Sequence, residues 1–357
     1  MHTQSNANPW PAESQPRVLV TGGAGFIGSH LVDEVLKRWA SADVTVVDDL
    51  STGRLSNLHS AHETVRRSGA TLRVLQQSVQ DSISTLANEP PFDLIVHLAA
   101  AVGVQRVLND PIRCIETNVD ATAQLLRYAL EHGKPVTLIA SSSEVYGKSP
   151  CSLFREDGDC VYGPTISPRW SYGASKAIDE YLAIAYHEKH GLPTVIVRLF
   201  NTVGPRQVGD YGMVLPRFIR AAMAGEPITV FGDGSQSRCF CDVRDVVPAL
   251  LQLAERAAAD MKGMCGRVVN LGSDQPITIL ELAQSIRDQL GSSSAIECVP
   301  YEEALGPGFE DLAQRRPSLD RLRSLIDFEP KCSLRKTVQD IANALRLSDA
   351  AGEVGAR

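Results

Sequence analysis

The amino-acid sequence predicts an α/β protein with a doubly wound parallel sheet and a second, smaller α/β lobe. Strand-like and helical segments alternate between residues 17 and 200, an order of elements that produces a parallel sheet. The strand-like segments are apolar throughout, which is typical of a sheet that helices cover on both faces. A glycine-rich turn follows the first strand, at the end of the sheet where folds of this class bind their ligands.

The predicted elements follow one another in regular order. Residues 17–38 run from a strand through glycines into a helix with one apolar face. Further strands are predicted at 43–49, 72–77, 93–100, 135–143 and 193–201, and helices near 114–131 and 171–190. From residue 201 the pattern loosens into loops rich in Gly and Pro, with helices near 212–224 and 278–290 and a strand at 266–273 that we expect to return to the main sheet.

Composition excludes several classes of function. The 357 residues carry a net charge of -7, which argues against nucleic acid as a partner, since such proteins usually present a basic face. No segment is long and apolar enough for a signal peptide or a membrane span, so we expect a cytoplasmic protein. The eight cysteines are scattered without a metal-site spacing, which predicts reduced thiols and no bound metal.

Gly22, Gly25 and Gly28 lie between the first strand and its helix, where backbone amides and the helix dipole can receive a pyrophosphate. A second apolar strand ends in Asp48, whose carboxylate can bind both ribose hydroxyls of adenosine and would repel a 2'-phosphate. NAD is therefore favoured over NADP. Asp49 can share the role of Asp48. The structural alternative for the glycine motif is a turn that binds no ligand.

The chain is therefore expected to contain two lobes and two tails. The cofactor prediction makes the first lobe an NAD-binding Rossmann domain, and polar, aperiodic ends predict the tails. The boundaries are a disordered tail at 1–16, the NAD-binding domain at 17–200 with 238–272 returning to it, a substrate-binding lobe at 201–237 and 273–345, and a tail at 346–357.

Tyr172 and Lys176 are four residues apart on a predicted helix, so both side chains point the same way. An ammonium beside a phenol favours the phenolate, which can accept a proton from a substrate hydroxyl while hydride leaves the same carbon. Many helices contain such a pair without any function. Ser142, at the end of the preceding strand, strengthens the functional interpretation because it can bind the same reacting oxygen.

These features together resemble the extended short-chain dehydrogenase/reductase family of nucleotide-sugar enzymes. The motifs "TGGAGFIGSH", "HLAA", "SSSEVYG", "YGASK", "RLFNTVGPR", "GDGSQSRCFCDVRD" and "RRPSLD" occur in the family's order. The resemblance implies NAD, a Ser-Tyr-Lys catalytic set, a UDP-sugar substrate and a homodimer built through the helices near 114–131 and 171–190. It also implies cofactor contacts at Phe26, Ile27, Leu98, Ala99 and Ala100.

Position by position, the resemblance makes Tyr172 the base and Lys176 the ligand of the nicotinamide ribose. It implies substrate contacts at Asn118, Asn201, Arg206, Arg238 and, as a weaker candidate, Arg315. A surface ion pair with Asp242 or Asp245 is the alternative for Arg238. For His97 we expect a strand-end histidine with satisfied hydrogen bonds rather than a catalytic one.

Ser143 and Glu144 lie where the family's reactions diverge after oxidation at C4 of the sugar. Glucose-type 4,6-dehydratases typically have Asp-Glu there, and 4-epimerases small or neutral residues. The sequence Ser142-Ser143-Glu144 resembles UDP-glucuronate decarboxylases, which implies conversion of UDP-glucuronate to UDP-xylose. Glu144, with Ser143, would then handle the substrate carboxylate and deliver a proton at C5. The alternative functions are a UDP-sugar 4-epimerase, a dehydratase and a non-catalytic NAD-binding regulator. The structural alternative for Ser143 and Glu144 is a strand-end cap and an incidental acid.

Overall fold

The computed structural model describes residues 9–10, 14–209, 213–305 and 312–350. Seven parallel strands among them form one sheet in the order β11-β6-β5-β4-β1-β2-β3, and the other strands form small sheets of two or three. The strands are β1 Arg17–Thr21, β2 Asp43–Val47, β3 Thr71–Leu75, β4 Leu94–His97, β5 Val136–Ser142, β6 Thr194–Leu199, β7 Thr202–Val203, β8 Ile228–Phe231, β9 Ser237–Cys239, β10 Cys241–Asp242, β11 Arg267–Leu271, β12 Pro276–Thr278, β13 Ile296–Val299 and β14 Gln314–Arg315.

Helices connect these strands and pack on both faces of the main sheet. They are α1 Phe26–Arg38, α2 His59–Val65, α3 Val79–Leu86, α4 Val104–Asn109, α5 Pro111–Glu131, α6 Ser171–His190, α7 Val214–Ala224, α8 Val243–Ala259, α9 Met261–Met264, α10 Ile279–Gln289, α11 Tyr301–Leu305, α12 Asp320–Leu325 and α13 Leu334–Ala350. Short 3-10 turns occur at Leu55–Leu58, Ser143–Tyr146 and Pro168–Trp170. The predicted doubly wound sheet is confirmed.

Each face of the sheet has its own apolar core. On one face α1 and α8 pack through residues such as Leu31 and Leu250. On the other, α5 and α6 pack through residues such as Leu125 and Ala183. Two buried faces explain why the strands lack the polar alternation of a half-exposed sheet.

The strand order reverses between β1 and β4, because the chain adds β2 and β3 on one side of β1 and then crosses to the other. At such a point the loops after adjacent strands diverge and leave a crevice at the carboxyl ends. The motifs singled out in the sequence follow β1, β4, β5 and β6, so the fold brings them to this crevice.

A third apolar core lies outside the main sheet, where α7, α10 and α13 enclose residues such as Phe218, Leu282 and Ile341. β11 nevertheless pairs with β6 in the main sheet, as predicted for 266–273. The division into an NAD-binding domain (17–200 with 238–272) and a smaller lobe (201–237 and 273–345) stays a prediction, and β9, at the boundary between 237 and 238, pairs with β12 and β14.

The predicted tails are only partly described. Residues 1–8, 11–13 and 351–357 lie outside the described residues. Within the predicted N-terminal tail, Trp10 packs edge-on against Trp39 with 5.7 Å between ring centroids. Helix α13 runs to Ala350 and so extends into the predicted C-terminal tail. None of the described helices is long and apolar enough to cross a membrane.

Candidate active site

A cavity of about 520 Å³ opens at the carboxyl ends of the central strands. Residues after β1, β4, β5 and β6 form its floor, and side chains of the smaller lobe, including Arg238 and Arg315, form the opposite wall. A cleft between two lobes at the switch point of a parallel sheet is where such proteins bind small molecules.

The glycine turn is shaped for close approach of a ligand backbone. Gly22 has φ +70, and a Cβ there would lie 2.8 Å from the amide nitrogen of Ala99. A Cβ on Gly28 would overlap the carbonyl oxygen of Gly22. Gly25 is the N-cap of α1 and makes no side-chain cap bond, so the first amides of that helix face the cavity and suit a pyrophosphate.

Asp48 is fixed at the far end of the same crevice. Its carboxylate accepts hydrogen bonds from the backbone amides of Ala24 and Leu50, both at 2.9 Å. Burial raises the pKa of Asp48, and these two amides oppose the shift. The carboxylate lines the cavity together with Asp49, in a position that suits an adenosine ribose.

The described lining therefore fits NAD. It contains nearly all the residues that the sequence assigned to the cofactor: Gly22, Gly25, Phe26, Ile27, Gly28, Asp48, Leu98, Ala99, Ala100 and Tyr172. Lys176 is the exception, as described below.

Replacement of Gly28 by alanine is expected to weaken NAD⁺ binding at least tenfold, because the new methyl group displaces the Gly22 carbonyl and opens the turn. Gly69→Ala is the matched control, since a Cβ there would meet its nearest neighbour at 3.6 Å. Calorimetric titration with NAD⁺ and a thermal melt of each variant measure the two effects. Equal affinities for the two variants would contradict the role of the turn.

Ser142 and Tyr172 meet at the centre of the cavity. β5 ends at Ser142, and the Pro168–Trp170 turn delivers Tyr172 to the first turn of α6. Burial raises the pKa of Tyr172 well above its usual range, and the Ser142 hydroxyl opposes that shift. Without a nearby uncompensated cation Tyr172 is therefore a neutral phenol.

The structure places the Lys176 side chain differently from the prediction made from its spacing to Tyr172. Its ammonium donates to Asp179 Oδ2 at 2.7 Å, and the two side chains are 2% and 0% exposed. Lys176 is not among the described residues that line the cavity. Its predicted contact with the nicotinamide ribose stays a prediction.

Glu144 forms ion pairs with two arginines. Arg169 donates to its Oε2 at 2.7 Å, and Arg315 forms an ion pair with Oε1. Burial disfavours the carboxylate, but the two guanidinium groups outweigh it and lower the pKa of Glu144 to about 2. Glu144 is thus a carboxylate at any physiological pH, which does not favour the predicted role of proton carrier to C5. Ser143 beside it is buried.

The other predicted substrate residues separate into two groups. Asn201 and Arg238 line the cavity; Asn201 donates to the Cys239 carbonyl, and Arg238 to the carbonyls of Ser237 and Leu312. The described lining includes neither Asn118, which is buried against Ala101 and Ser175, nor Arg206, which pairs with Asp33 on α1 at 2.8 Å. These two side chains are therefore placed away from the predicted substrate contacts.

The alternative for Arg238 was a surface ion pair with Asp242 or Asp245, which does not match the observed pairing. The Asp242 carboxylate binds Arg244 at 2.7 Å, and Asp245 accepts from two backbone amides. His97 has the satisfied hydrogen bonds that we expected. Thr21 and Thr122 lie 2.7 and 3.1 Å from its two ring nitrogens, and burial lowers the pKa of His97 to about 3.

Sequence reasoning missed three arginines that line the cavity, Arg113, Arg169 and Arg217. Arg169, three residues before Tyr172, contacts Glu144, and Arg217 lies 4.0 Å over the ring of Phe231. Burial lowers the pKa of Arg217, as expected for a cation in an apolar wall. The nearness of Arg169 to the Tyr172 motif was the only available signal; Arg217 had none.

Comparison with known proteins agrees with this geometry. Residues 18–272 match the NAD dependent epimerase/dehydratase family. The chain is 41% identical to UDP-N-acetyl-alpha-D-glucosaminuronate decarboxylase of Bacillus cytotoxicus, with 90% of this chain and 97% of the relative covered. It is 34% identical to UDP-glucuronic acid decarboxylase 1 of Danio rerio, with 93% and 74% covered.

A solved structure has the same fold and a ligand-filled site. UDP-glucuronic acid 4-epimerase of Bacillus cereus, in complex with UDP-glucuronic acid and NAD, superposes with a TM-score of 0.78 at 27% identity, covering 93% of this chain and 99% of that one. The family predicted from the motifs is confirmed. This chain belongs to the NAD dependent epimerase/dehydratase family.

Proposed function

We propose that this protein is an NAD-dependent decarboxylase of a UDP-linked hexuronic acid and that it converts UDP-glucuronate to UDP-xylose. The observation that carries the proposal is the pair Arg169 and Arg315 around Glu144. Both guanidinium groups line the cavity together with Tyr172, and guanidinium groups bind carboxylates through paired N–H donors. A substrate carboxylate therefore finds donors of matching charge and geometry at this wall, and a neutral sugar has no group that uses them in this way.

Oxidation at C4 of the sugar is the first step. The positive charge of bound NAD⁺ would supply the cation that favours the phenolate of Tyr172. The phenolate then accepts the proton of the C4 hydroxyl, and Ser142 binds the same oxygen. Bound NAD⁺ supplies the hydride acceptor and later returns the hydride. Asn201, Arg238 and Arg217 line the opposite wall, where we place the diphosphate because guanidinium groups bind phosphate oxygens through paired N–H donors.

Loss of carbon dioxide is the second step. Once C4 is a ketone, the bond from C5 to the carboxylate breaks, and its electrons move to the C4 oxygen as an enolate. Ser142 and Tyr172 stabilise that oxygen. C5 then takes a proton from water, so that a C–H bond replaces the bond to the carboxylate and the C4 ketone forms again. Glu144 competes with the substrate carboxylate for Arg169 and Arg315, so the substrate is bound without being fully neutralised. This partial neutralisation raises the ground state relative to the transition state, in which charge has left the carboxylate.

The relatives support decarboxylation but differ in the sugar. The 41% identical protein is named for UDP-N-acetyl-alpha-D-glucosaminuronate, while several proteins at 32–34% identity are named UDP-glucuronic acid decarboxylases. The N-acetylated uronate is therefore the second candidate substrate. It shares the carboxylate on which the proposal depends.

A UDP-sugar 4-epimerase is the competing function, since a 4-epimerase shares the fold. In a 4-epimerase, the keto-sugar has to rotate in the cavity. Here, Arg169 and Arg315 beside Glu144 would hold a uronate by its carboxylate while C4 is oxidised. This contact opposes rotation of the sugar and favours the decarboxylase.

Incubation of the purified protein with NAD⁺ and one sugar at a time tests the proposal. UDP-glucuronate, UDP-N-acetylglucosaminuronate and UDP-glucose are the three substrates. A product lighter by carbon dioxide from either uronate supports decarboxylation and identifies the sugar. A product of unchanged mass with an inverted C4 hydroxyl overturns it in favour of epimerisation.

We propose further that the protein is a homodimer that joins through α5 and α6, and that it is cytoplasmic. The eight cysteines are free thiols, which suits a reducing compartment. Large apolar side chains are exposed on both helices: Ile112 by 69%, Ile115 by 41%, Ile178 by 44% and Tyr181 by 74%. Clustered apolar surface of this kind supports an interface between copies.

Replacement of Tyr181 by aspartate is expected to shift the protein from dimer to monomer, because a charge would be buried in the proposed interface. Ile166→Asp, at a loop position that is 91% exposed, is the control and should not change the molecular mass. Light scattering after size-exclusion chromatography gives both masses. A dimeric Tyr181 variant would argue against this interface.

A further inference from the structure

Lys176 and Asp179 form a buried ion pair on α6. The ammonium and Asp179 Oδ2 are 2.7 Å apart, and neither side chain is more than 2% exposed. The two residues are three apart on α6, so the helix itself holds them together. Burial of a charged pair is costly unless both members stay in place, and the pair is therefore expected to persist as a unit.

Tyr172 lies one helical turn before Lys176 on α6, and it lines the cavity. A lone ammonium there would favour the phenolate of Tyr172. With Asp179 beside it, the ammonium is compensated, and the field at the phenol is that of a neutral pair. Asp179 itself acts on Tyr172 in the direction that disfavours the phenolate.

Among the described residues, the other groups around the pair do not supply a second compensating charge. Thr122 on α5 lies 3.1 Å from a ring nitrogen of His97, and His97 at the end of β4 is buried and neutral. Glu180 adds a negative charge next to Asp179, but two hydrogen bonds join its carboxylate to Arg198. The groups that face Tyr172 itself are Ser142, Glu144 and Cys114.

We propose that Asp179 is a positioning residue that holds the Lys176 ammonium and compensates its charge, and thereby sets the pH range in which Tyr172 accepts a proton. The inference rests on the proposed oxidation by Tyr172. Its consequence is that Lys176 alone does not determine the state of the phenol; the Lys176–Asp179 pair does. No sugar substrate is needed to test it.

The test is a double-mutant cycle read from the ultraviolet absorbance of tyrosinate. The protein is saturated with NAD⁺ and titrated with base, and the same titration of a Tyr172→Phe variant in each background isolates the signal of Tyr172. Asp179→Asn is expected to lower the midpoint by about one pH unit, a tenfold increase in phenolate at a given pH. Lys176→Met is expected to raise it.

The double variant Lys176→Met/Asp179→Asn keeps no buried charge at this position and is therefore the one that is expected to fold best. Its midpoint should match that of the wild type, because the charges that it removes cancel. A double variant whose midpoint is raised as far as in Lys176→Met alone would overturn the inference, since it would show that Asp179 compensates nothing.

Two control variants complete the design. Asp179→Glu keeps the charge and should restore the wild-type midpoint, a result that a merely structural role for this carboxylate does not predict. Glu188→Gln removes an exposed charge on the same helix and should leave the midpoint unchanged. The titration distinguishes the two proposals, because a protein without decarboxylase activity still reports the state of Tyr172.

Discussion

Replacement of Tyr172 by phenylalanine is expected to lower kcat/KM for the uronate at least a thousandfold while NAD⁺ binding is retained. Tyr172 lines the cavity, and its phenol is the group to which the proposed first step assigns the proton of the C4 hydroxyl. Loss of a general base typically lowers the rate 10²- to 10⁴-fold. Here the same oxygen also holds the enolate, so an effect in the upper half of that range is expected.

Stopped-flow absorbance of NADH after mixing with UDP-glucuronate measures this oxidation directly. Tyr162→Phe is the matched control, because its hydroxyl donates to the Gly173 carbonyl and Tyr162 is not among the described residues that line the cavity. If the Tyr172 variant formed NADH at the wild-type rate, the base would have to be another group, and the proposed first step would be wrong.

Much of this site was predictable because it is local in sequence or fixed by strand order. The glycine turn, Asp48 and Ser142 each follow an apolar strand, and parallel strands bring their carboxyl ends to one edge. Tyr172 follows from helical spacing. Helical spacing acts over a few residues and strand order acts over one sheet. Both can be predicted from the pattern of apolar residues.

The charged arrangement was not predictable in the same way. Glu144 and Arg315 are 171 residues apart, and nothing in either segment specifies the partner of the other. The Lys176–Asp179 pair, by contrast, has a spacing of three on one helix and could have been found from sequence. It was overlooked because the resemblance gave Lys176 another partner, the nicotinamide ribose.

Replacement of Glu144 by glutamine is expected to lower the rate of carbon dioxide release about a hundredfold without preventing oxidation at C4. Glutamine keeps the shape of the side chain but removes the carboxylate that competes with the substrate for Arg169 and Arg315, which are 6% and 8% exposed. Both cations then bind the substrate carboxylate more strongly. Its ground state becomes more stable, whereas the transition state, from which the carboxylate charge has departed, does not.

The expected signature is a split between KM and kcat. A lower or unchanged KM for the uronate, together with a lower kcat for carbon dioxide release and an early burst of NADH, indicates loss of a group that acts after binding. Asp157→Asn breaks an exposed pair with Arg155 and is the control for charge removal beside an arginine. A thermal melt separates catalysis from folding, because two buried guanidinium groups without their anion are costly.

The opposite split would change the role of Glu144. If the glutamine variant released carbon dioxide at the normal rate but required much more uronate, the carboxylate would serve only to orient Arg169 and Arg315 for binding. Decarboxylation would then depend on the ketone alone, as an electron sink that needs no destabilised ground state. Because only the second mechanism predicts a raised KM, one steady-state comparison of Glu144→Gln with the wild type distinguishes them.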